Sequence, residues 1–378
     1  MQIYVVREGD SLDSIAAAFA VSAADIAYDN QIPEPYRLAV GQALLVPAEG
    51  EARQKREVRV NGYAYPYIRD EVLSETLPYL TNISVFSYGF TTGGDLIPPQ
   101  ADDNRVISAA WSQGTAPILV LTPFDETGMF NNYLISEITH NMEAQQNLID
   151  QMFQTMEEKG FAGIDIDFEY ILPQDRIPYA EFVANVRNQA APKGYPVSVA
   201  LAPKTSADQK GLLYEGKDYR LLGAAADSVL LMTYEWGYTY GPPMAVAPIN
   251  KVRAVVEYAV TEIPAEKIDL GIPNYGYDWT LPFVQGTSKA RTLGNAEAVQ
   301  LAVENDVAIQ FDEIAMSPFF RYEKDGVWHE VWFEDVRSMR EKFGLVTEYG
   351  LRGMGYWQVM KLFRANWLLL ADTFDIVK

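Results

Sequence analysis

The sequence of 378 residues contains no cysteine and only two histidines, His140 and His329. The absence of cysteine excludes disulfide bonds, thiolate metal sites and cysteine nucleophiles. The two histidines lie in unrelated contexts, ITHNMEAQQN and GVWHEVW, and neither is near a nucleophile pattern. This argues against a histidine-rich metal site and against a Ser/His/Asp triad, and we expect both histidines to be ordinary structural side chains.

The sequence also lacks positive charge. It has 30 lysines and arginines against 51 aspartates and glutamates, which gives a formal net charge of −21 at pH 7. Nucleic acids and anionic membrane surfaces attract basic patches, so this balance argues against both as partners. The excess of acid does not by itself identify a partner, because it often serves only solubility.

Long apolar runs are missing as well. No run approaches the ~20 residues needed to span a bilayer, so we expect no membrane insertion. The first residues, MQIYVVREGDSLDSIA, show no basic start followed by an apolar stretch and a cleavage site, and no signal peptide is predicted. The expectation is a chain that is cytoplasmic at synthesis, or exported by a route that the sequence does not show.

Residues 1–48 form a compact first unit. IYVV predicts a short strand, SLDSIAAAF a helix capped by the turn EGDS, SAADIAYDN a second helix, and ALLVP a returning strand. The predicted order is strand, helix, helix, strand. A charged stretch without periodicity follows, and residues 49–57 are predicted to be a linker.

This first unit resembles a LysM module. The matching anchors, in order along the chain, are Tyr4-Val5-Val6, Gly9-Asp10-Ser11-Leu12, Ile15-Ala16, Phe19, Val21-Ser22, Asp25-Ile26, Asn30, Val40-Gly41-Gln42 and Leu45-Val46-Pro47. LysM modules bind glycans that contain N-acetylglucosamine, so the resemblance implies glycan binding by two loops. The implied contacts are Gly9, Asp10, Ser11 and Leu12 in one loop and Gln31, Ile32 and Pro33 in the other. The alternative is that GDSL merely caps a helix.

Residues 58–378 repeat a strand-then-helix pattern. The eight candidate strands are VRVNGYAY, NISVFSYGF, APILVLTPF, GFAGIDIDFEY, PVSVALAPK, SVLLMTYEW, IDLGIPNYG and LRGMGYWQV. Apolar strands that alternate with helices are typical of a parallel (β/α)₈ barrel, a TIM barrel of the α/β class. The long interval between the last two strands predicts a small α+β insertion at about 286–335, with a hairpin that turns at Lys324-Asp325-Gly326.

The fourth candidate strand carries the strongest chemical signal. In GIDIDFEY, Asp165, Asp167 and Glu169 alternate with apolar residues, so the three carboxylates should point to the inside of the barrel. Carboxylates this close and partly buried cannot all ionise cheaply, so at least one should hold a proton near neutral pH. A protonated glutamate beside ionised aspartate suits general acid catalysis of glycosidic bond cleavage.

Two other interpretations of this strand remain open at this point. Asp-x-Asp is also a familiar arrangement for binding Mg²⁺ or Ca²⁺ through carboxylate oxygens. The strand could instead lie at the surface with all its acids solvated. The interleaved Ile164, Ile166 and Phe168 disfavour the surface interpretation, because an outer face packed on helices requires apolar residues.

The barrel resembles glycoside hydrolase family 18, the chitinase-like family, whose fourth strand carries the signature D-G-x-D-x-D-x-E. The corresponding run here is Ala162 to Glu169. Supporting matches are Met232-Thr233-Tyr234-Glu235 after the sixth strand, Leu270-Gly271-Ile272-Pro273-Asn274-Tyr275-Gly276 on the seventh, and Gly355-Tyr356-Trp357 on the eighth. The resemblance extends from about Val58 to the last residue.

The resemblance implies a role for each matching residue. Glu169 would donate a proton to the leaving oxygen and later activate water, while Asp167, helped by Asp165, would orient the substrate's 2-acetamido group. Tyr234 would bond to the acetamido oxygen, which attacks the anomeric carbon and gives net retention. No metal or cofactor is implied. The implied substrate-binding residues are Trp357, Glu235, Met232, Asn274, Tyr275 and Tyr170.

Some positions depart from the family pattern. Ala162 replaces the usual first aspartate, and Phe168 and Glu235 replace the commoner tryptophan and aspartate. The combination of one LysM module and this barrel resembles the spore-associated N-acetylglucosaminidases that degrade cortex peptidoglycan. This resemblance implies a location in the spore coat or cortex. The alternatives are a chitinase or chitooligosaccharide hydrolase, and a catalytically lapsed barrel that binds glycan as a lectin.

Overall fold

The computed structural model describes residues 1–48 and 54–378. The predicted linker, 49–57, therefore lies partly outside the described residues. Its last two residues, Arg56 and Glu57, already belong to the first strand of the barrel.

The LysM module has the predicted order of elements. The strands Gln2–Val5 and Ala43–Val46 pair antiparallel, and the helices Leu12–Phe19 and Ala23–Asp29 pack on them. Ser11 caps the first helix by accepting a hydrogen bond from the Ser14 amide at 3.1 Å. The module has its own apolar core, which includes Leu12, Ile26 and Leu44.

The predicted (β/α)₈ barrel is confirmed. Its strands, labelled β1 to β8 along the chain, are Arg56–Ala64, Asn82–Phe90, Ala116–Leu121, Gly163–Ile166, Val197–Leu201, Ser228–Leu231, Ile268–Pro273 and Gly353–Trp357. Each strand pairs in parallel with the next, and β8 pairs with β1 to close the barrel. Two short strands, Leu96–Ile97 and Phe374–Ile376, extend the pairing beside β2 and β1.

Helices cover the outside of the barrel. The α-helices are Asp70–Thr76, Asn104–Ser112, Tyr133–His140, Met142–Lys159, Arg176–Ala190, Tyr219–Ala225, Ile249–Glu262, Val336–Glu348 and Arg364–Thr373. Short 3₁₀ turns lie at Leu77–Tyr79, Pro173–Asp175, Ala191–Lys193 and Ala265–Lys267. Two helices precede β4, because Asn141 leaves the helical conformation and caps the second through its side chain.

The α+β insertion lies between β7 and β8 as predicted, but its sheet begins at Gly276, before the predicted start at about 286. Its five-stranded sheet contains Gly276–Thr280, Arg291–Leu293, Gln310–Asp312, Ser317–Lys324 and Val327–Trp332, and its helix is Asn295–Glu304. The predicted hairpin pairs the last two strands. Asp325 and Gly326 have φ of 52° and 76°, the left-handed conformation that a tight hairpin turn requires. The first strand of the sheet follows β7 directly and so begins at the barrel mouth.

The LysM module packs firmly against the barrel and the insertion. Arg364 donates hydrogen bonds to the Tyr28 carbonyl and to Glu75, and its guanidinium lies 3.8 Å from the centre of the Tyr28 ring. On the other side, the Ile309 amide donates to the Val40 carbonyl at 2.8 Å. These contacts join the module to both of its neighbours.

No helix in residues 1–48 and 54–378 has the length and apolar character needed to cross a membrane.

The contact at Gly41 predicts a difference between two glycine substitutions. Gly9 and Gly41 both have positive φ, 84° and 83°, so alanine at either position is strained by about 1 kcal/mol. A Cβ at Gly41 would also lie 1.9 Å from the Ile309 carbonyl oxygen, whereas at Gly9 it would meet nothing within 4 Å. In chemical denaturation, we expect Gly41→Ala to lose at least ~1 kcal/mol more stability than Gly9→Ala. Equal losses would show that the docking contact does not contribute to stability.

Candidate active site

The acidic row starts inside the barrel and ends at its mouth. Regular β4 ends at Ile166, but the Asp167 amide still donates to the Leu121 carbonyl at 2.9 Å, so the strand direction continues. Asp165 and Asp167 are buried and Glu169 is half-buried. The alternating apolar residues face the helices, where Phe168 stacks between aromatic rings of β2 and helix Arg176–Ala190. The interpretation of this segment as a surface strand with solvated acids is therefore wrong.

Asp165 is held deepest in the row by two hydroxyl groups. Tyr63 donates to one carboxylate oxygen at 2.8 Å and Ser198 donates to the other at 2.5 Å. Burial raises the pKa of Asp165, while the hydroxyl groups and the charge of Lys217 oppose that rise. Because both of its oxygens have donors, Asp165 is fixed in position.

Asp167 differs because its carboxylate is not fully satisfied. It is only 5% exposed, and its Oδ1 has no hydrogen-bond partner in the described part of the chain. Burial, followed by the charges of Glu169 and Asp165, raises its pKa well above the usual value. A buried acceptor without a donor is costly, so this oxygen is available to a donor brought by a ligand.

Glu169 is the member of the row nearest to solvent. Removal of water around its carboxylate raises its pKa, and the positive charge of Lys217 opposes this. A raised pKa lets the carboxyl group hold a proton closer to neutral pH, as a general acid requires.

Lys217 was not predicted from the sequence, because it follows no strand and belongs to no recognised motif. Its side chain is fully buried, and its ammonium donates to the Ala200 carbonyl of β5 at 2.8 Å. Burial lowers the pKa of Lys217 to about 8, and the charges of Asp167, Glu169 and Asp165 limit the fall. The only sequence signal is a lysine in the loop LLYEGKDY just before a helix.

Tyr234 and Glu235 follow β6 at the mouth of the barrel. The Tyr234 hydroxyl makes no hydrogen bond within the described residues, and burial together with the nearby carboxylates raises its pKa well above normal. Glu235 has a φ of 67° and accepts hydrogen bonds from the hydroxyls of Tyr275 and Tyr277. The residue is exposed, yet partial removal of water from its carboxylate raises its pKa. Met232, half-buried, begins the same segment.

Trp357 ends β8 and lies between two groups of aromatic side chains. On one side its ring centre is 5.0 Å from Phe86, 5.7 Å from Tyr63 and 6.2 Å from Tyr65. On the other side it packs with Tyr275, Tyr277 and Trp279 from β7 and the insertion sheet. The half-buried indole therefore forms a floor between two aromatic walls.

A groove continues from this floor along the ends of β1 to β3. It has a volume of about 370 Å³, and Tyr65, Tyr67, Phe86 and Phe124 provide its aromatic lining. The Tyr65 and Tyr67 rings stack on each other at 5.2 Å, and Tyr67 is 66% exposed. Exposed aromatic faces in a groove suit the apolar faces of sugar rings. Tyr170, at the end of the acidic row, is half-buried beside Phe130 on another rim of the mouth.

Asn274 is buried, with 1% exposure. Its side-chain nitrogen donates to the carbonyls of Gln358 and Lys361 at 3.0 and 2.9 Å, so the residue braces the loop after Trp357. Its side-chain oxygen has no hydrogen-bond partner among the described residues. Substrate contact by Asn274 stays a prediction.

The implied LysM contacts fall into three groups. Gly9, Ser11 and Pro33 are exposed, and Asp10 stabilises its loop by accepting from the Tyr4 hydroxyl and the Arg7 amide. Leu12 and Ile32 are 3% and 5% exposed and belong to the module's core, because apolar side chains gain more there. Gln31 accepts a hydrogen bond from the Arg364 amide and so lies at the junction with the barrel.

Ala162 lies at the start of β4, at the opposite end from Glu169, and its amide donates to the Pro117 carbonyl. Strand alternation places position 162 with Ile164 and Ile166, so a carboxylate there would not join the inward row. Both histidines lie outside the row: His329 contacts Asp278 in the insertion, and His140 contacts the Ser136 carbonyl on its own helix. Within residues 1–48 and 54–378, no cluster of three or more His, Asp or Glu side chains has metal-binding geometry.

Comparisons with known proteins agree with both resemblances. The family model for glycosyl hydrolases family 18 matches residues 128–361, and the LysM domain model matches residues 4–47. The chain is 39% identical to the cortical fragment-lytic enzyme of Bacillus subtilis strain 168, over 100% of this chain and 99% of that protein. It is 32% identical to the putative sporulation-specific glycosylase YdhD of the same organism, over 100% of this chain and 89% of that protein. It superimposes on the crystal structure of the Bacillus cereus spore cortex-lytic enzyme SleL with a TM-score of 0.95 at 34% identity, covering 100% of this chain and 99% of that one.

The unsatisfied carboxylate of Asp167 predicts a gain of stability when it is neutralised. An aspartate whose pKa is higher in the folded chain than in the unfolded chain costs no stability below about pH 4, and the cost grows as pH rises through its folded pKa. We therefore expect Asp167→Asn to raise the melting temperature by about 2 °C or more at neutral pH, with the gain vanishing in acid.

Asp103→Asn is the matched control for this measurement. Asp103 is also fully buried, but its two oxygens accept hydrogen bonds from Tyr88 and Lys159, so its neutralisation should lower the melting temperature. A loss of stability in both variants at neutral pH would contradict the account of Asp167.

Proposed function

The chain belongs to glycosyl hydrolase family 18, and from this we propose that it is an N-acetylglucosaminidase that hydrolyses β-1,4 bonds in spore cortex peptidoglycan. The names of its relatives support the choice of polymer, since one is a cortical fragment-lytic enzyme and another a spore cortex-lytic enzyme. The LysM domain supports a partner that contains N-acetylglucosamine. On the same grounds we propose a location in the spore.

The unpaired, buried oxygen of Asp167 is the observation that carries this proposal. An acetamido N–H on the C2 carbon of the sugar would supply the donor that this oxygen lacks. Asp165, fixed by Tyr63 and Ser198, lies deeper in the barrel than Asp167. A sugar without the acetamido group would leave the oxygen unsatisfied, so the site selects for a 2-acetamido sugar, such as N-acetylglucosamine, at the cleaved bond.

The proposed reaction begins with proton transfer from Glu169 to the glycosidic oxygen. As that bond breaks, the acetamido carbonyl oxygen attacks the anomeric carbon, its N–H donates to Asp167, and the Tyr234 hydroxyl donates to the carbonyl oxygen. An oxazolinium intermediate forms, with its positive charge close to the ionised aspartate. Water, deprotonated by Glu169, then opens the ring and restores the original anomeric configuration.

The geometry favours this route over a reaction with two working carboxylates. A protein nucleophile would have to be a carboxylate free to reach the anomeric carbon, but Asp165 is buried and bonded through both oxygens. The acetamido group is already attached to the substrate, so its attack requires no further alignment of a second reactant. A glycosidase of this kind departs from the usual scheme of two carboxylates, because the substrate itself supplies the nucleophile.

The floor and walls of the mouth would hold the glycan during this reaction. Trp357 would support the sugar at the cleaved bond, with Tyr275 and Glu235 on the side of the insertion. The groove along Tyr65 and Tyr67 would accept neighbouring sugars of the chain. The exposed residues of the LysM loops, Gly9, Ser11 and Pro33, would bind the glycan elsewhere.

Loss of the Glu169 proton should abolish cleavage. We expect Glu169→Gln to reduce turnover of purified cortex fragments by about 100-fold to 10,000-fold, because the amide cannot donate and then accept the proton. Mass spectrometry of the products measures this, and wild-type products should end in N-acetylglucosamine. Glu158→Gln, on an exposed helix surface, is the control and should retain full activity.

The other outcomes of this experiment are equally specific. Unchanged turnover in Glu169→Gln would overturn the mechanism. Cleavage of chitin oligomers but not of cortex fragments would replace the substrate by chitin. Binding of glycan without cleavage by either protein would indicate a lectin.

A further inference from the structure

Lys217 is the buried cation of the active site, and the mechanism above does not use it. It lies in the segment between β5 and helix Tyr219–Ala225, and its side chain is fully buried. Lysine is rarely buried without a partner of opposite charge. Yet among the described residues its ammonium forms no ion pair within 4.0 Å. The one hydrogen bond that the ammonium donates there goes to a neutral carbonyl.

The position of that carbonyl places the ammonium beside the acidic row. In the pairing of β4 with β5, Asp165 lies opposite Ser198 and Ile166 opposite Val199, so the next pair along is Asp167 and Ala200. Lys217 donates to the Ala200 carbonyl, which puts its charge at the depth of Asp167. The ammonium acts on the carboxylates through space, in an interior where charges are weakly screened.

The segment around Lys217 is locked to the barrel by several further contacts. Lys204 donates from its side chain to the Lys217 carbonyl at 2.8 Å, and the Tyr219 hydroxyl donates to the Ala202 carbonyl at 2.5 Å. Gly216 packs so closely on Ile171 that an added Cβ would lie 2.1 Å from the Ile171 carbonyl oxygen. Ile171 is two residues beyond Glu169, so the lysine is tied both to β5 and to the end of the acidic row.

Other titratable groups surround the row. Six of them are phenols or carboxylates near its middle and its mouth: Tyr63, Tyr65, Tyr170, Tyr179, Tyr234 and Glu235. At the base of the barrel, Asp269 is paired with Arg352, and both line the same cavity as Asp165. Phenols and carboxylates cannot offset the negative charge of the three acids in the row. Lys217 is the cation at the depth of Asp167, whereas Arg352 lies at the base of the barrel and is paired with Asp269.

We propose that Lys217 is a positioning residue that sets the pH range of catalysis, by letting the pair Asp167 and Glu169 lose one proton while the other remains for donation to the substrate. This inference rests on the proposed glycosidase function. Without the ammonium, a further proton would be taken up by the acidic row, because three carboxylates at this depth cannot share so much negative charge. The two carboxyl groups that must be in opposite protonation states would then both titrate at higher pH.

Lys217→Met tests the proposal, since methionine keeps most of the side-chain volume and removes the charge. In kcat/KM measured against pH on cortex fragments, we expect both the acid and the alkaline limb to move up by about one pH unit or more, with reduced activity below the new optimum. The acid limb moves because the pair Asp167 and Glu169 loses its first proton at higher pH, and the alkaline limb moves because the pair keeps its second proton longer.

Lys204→Met is the matched control. Lys204 is 2% exposed and hydrogen-bonds the same segment, but the carboxylates of the acidic row do not act on its pKa. This variant should lose stability and keep the wild-type pH profile.

The results distinguish a failure of the proposed role of Lys217 from a failure of the proposed glycosidase function. An unchanged or downward-shifted profile in folded Lys217→Met would overturn the role of Lys217 and leave the proposed function standing. A wild-type protein that cleaves no glycan would instead overturn the proposed function. Should Lys217→Met fail to fold, Lys217→Gln, which retains an N–H for the Ala200 carbonyl, is expected to show the same upward shift, and no shift there would likewise contradict the proposal.

Discussion

The burial of three carboxylates on one apolar strand is the constraint on which the rest of this site depends. Each acid would ionise more easily in water, and burial raises the pKa of Asp165, Asp167 and Glu169 alike. The hydrogen bonds that offset this cost of burial differ between the carboxylates of the row. Two hydroxyl groups satisfy Asp165, whereas Asp167 keeps one oxygen without a partner in the described part of the chain. Asp165 is therefore fixed in position, whereas Asp167 can accept a hydrogen bond from a ligand.

The same constraint explains the arrangement of the mouth. Glu169 needs an environment that is dry enough to keep its proton and open enough to reach a glycosidic oxygen. The aromatic groups on both sides of Trp357 provide apolar surface at that point, one from the strands β1 to β3 and the other from the insertion. The insertion thus forms one wall of the mouth, and Asn274 braces the loop that follows Trp357.

The sequence predicted the elements that follow from local patterns. The eight strands and the hairpin are visible as apolar runs and turn residues, and the acidic row is visible because its spacing matches strand alternation. Lys217 was missed because its role depends on a loop that returns to β5, a contact between residues far from any motif. A motif shows which residues are near a site but not which way a side chain turns, so the hydrogen bonds that Asn274 and Gln31 make within the chain could not be predicted.

The central claim is that the substrate's own acetamido group completes the site at Asp167. The most direct test compares hydrolysis of one cortex glycan before removal of its N-acetyl groups, after removal, and after chemical re-acetylation. The account predicts that wild-type cleavage falls by about 100-fold or more on removal and returns on re-acetylation, because both the nucleophile and the donor to Asp167 are lost and then restored. Equal cleavage of all three glycans would contradict it.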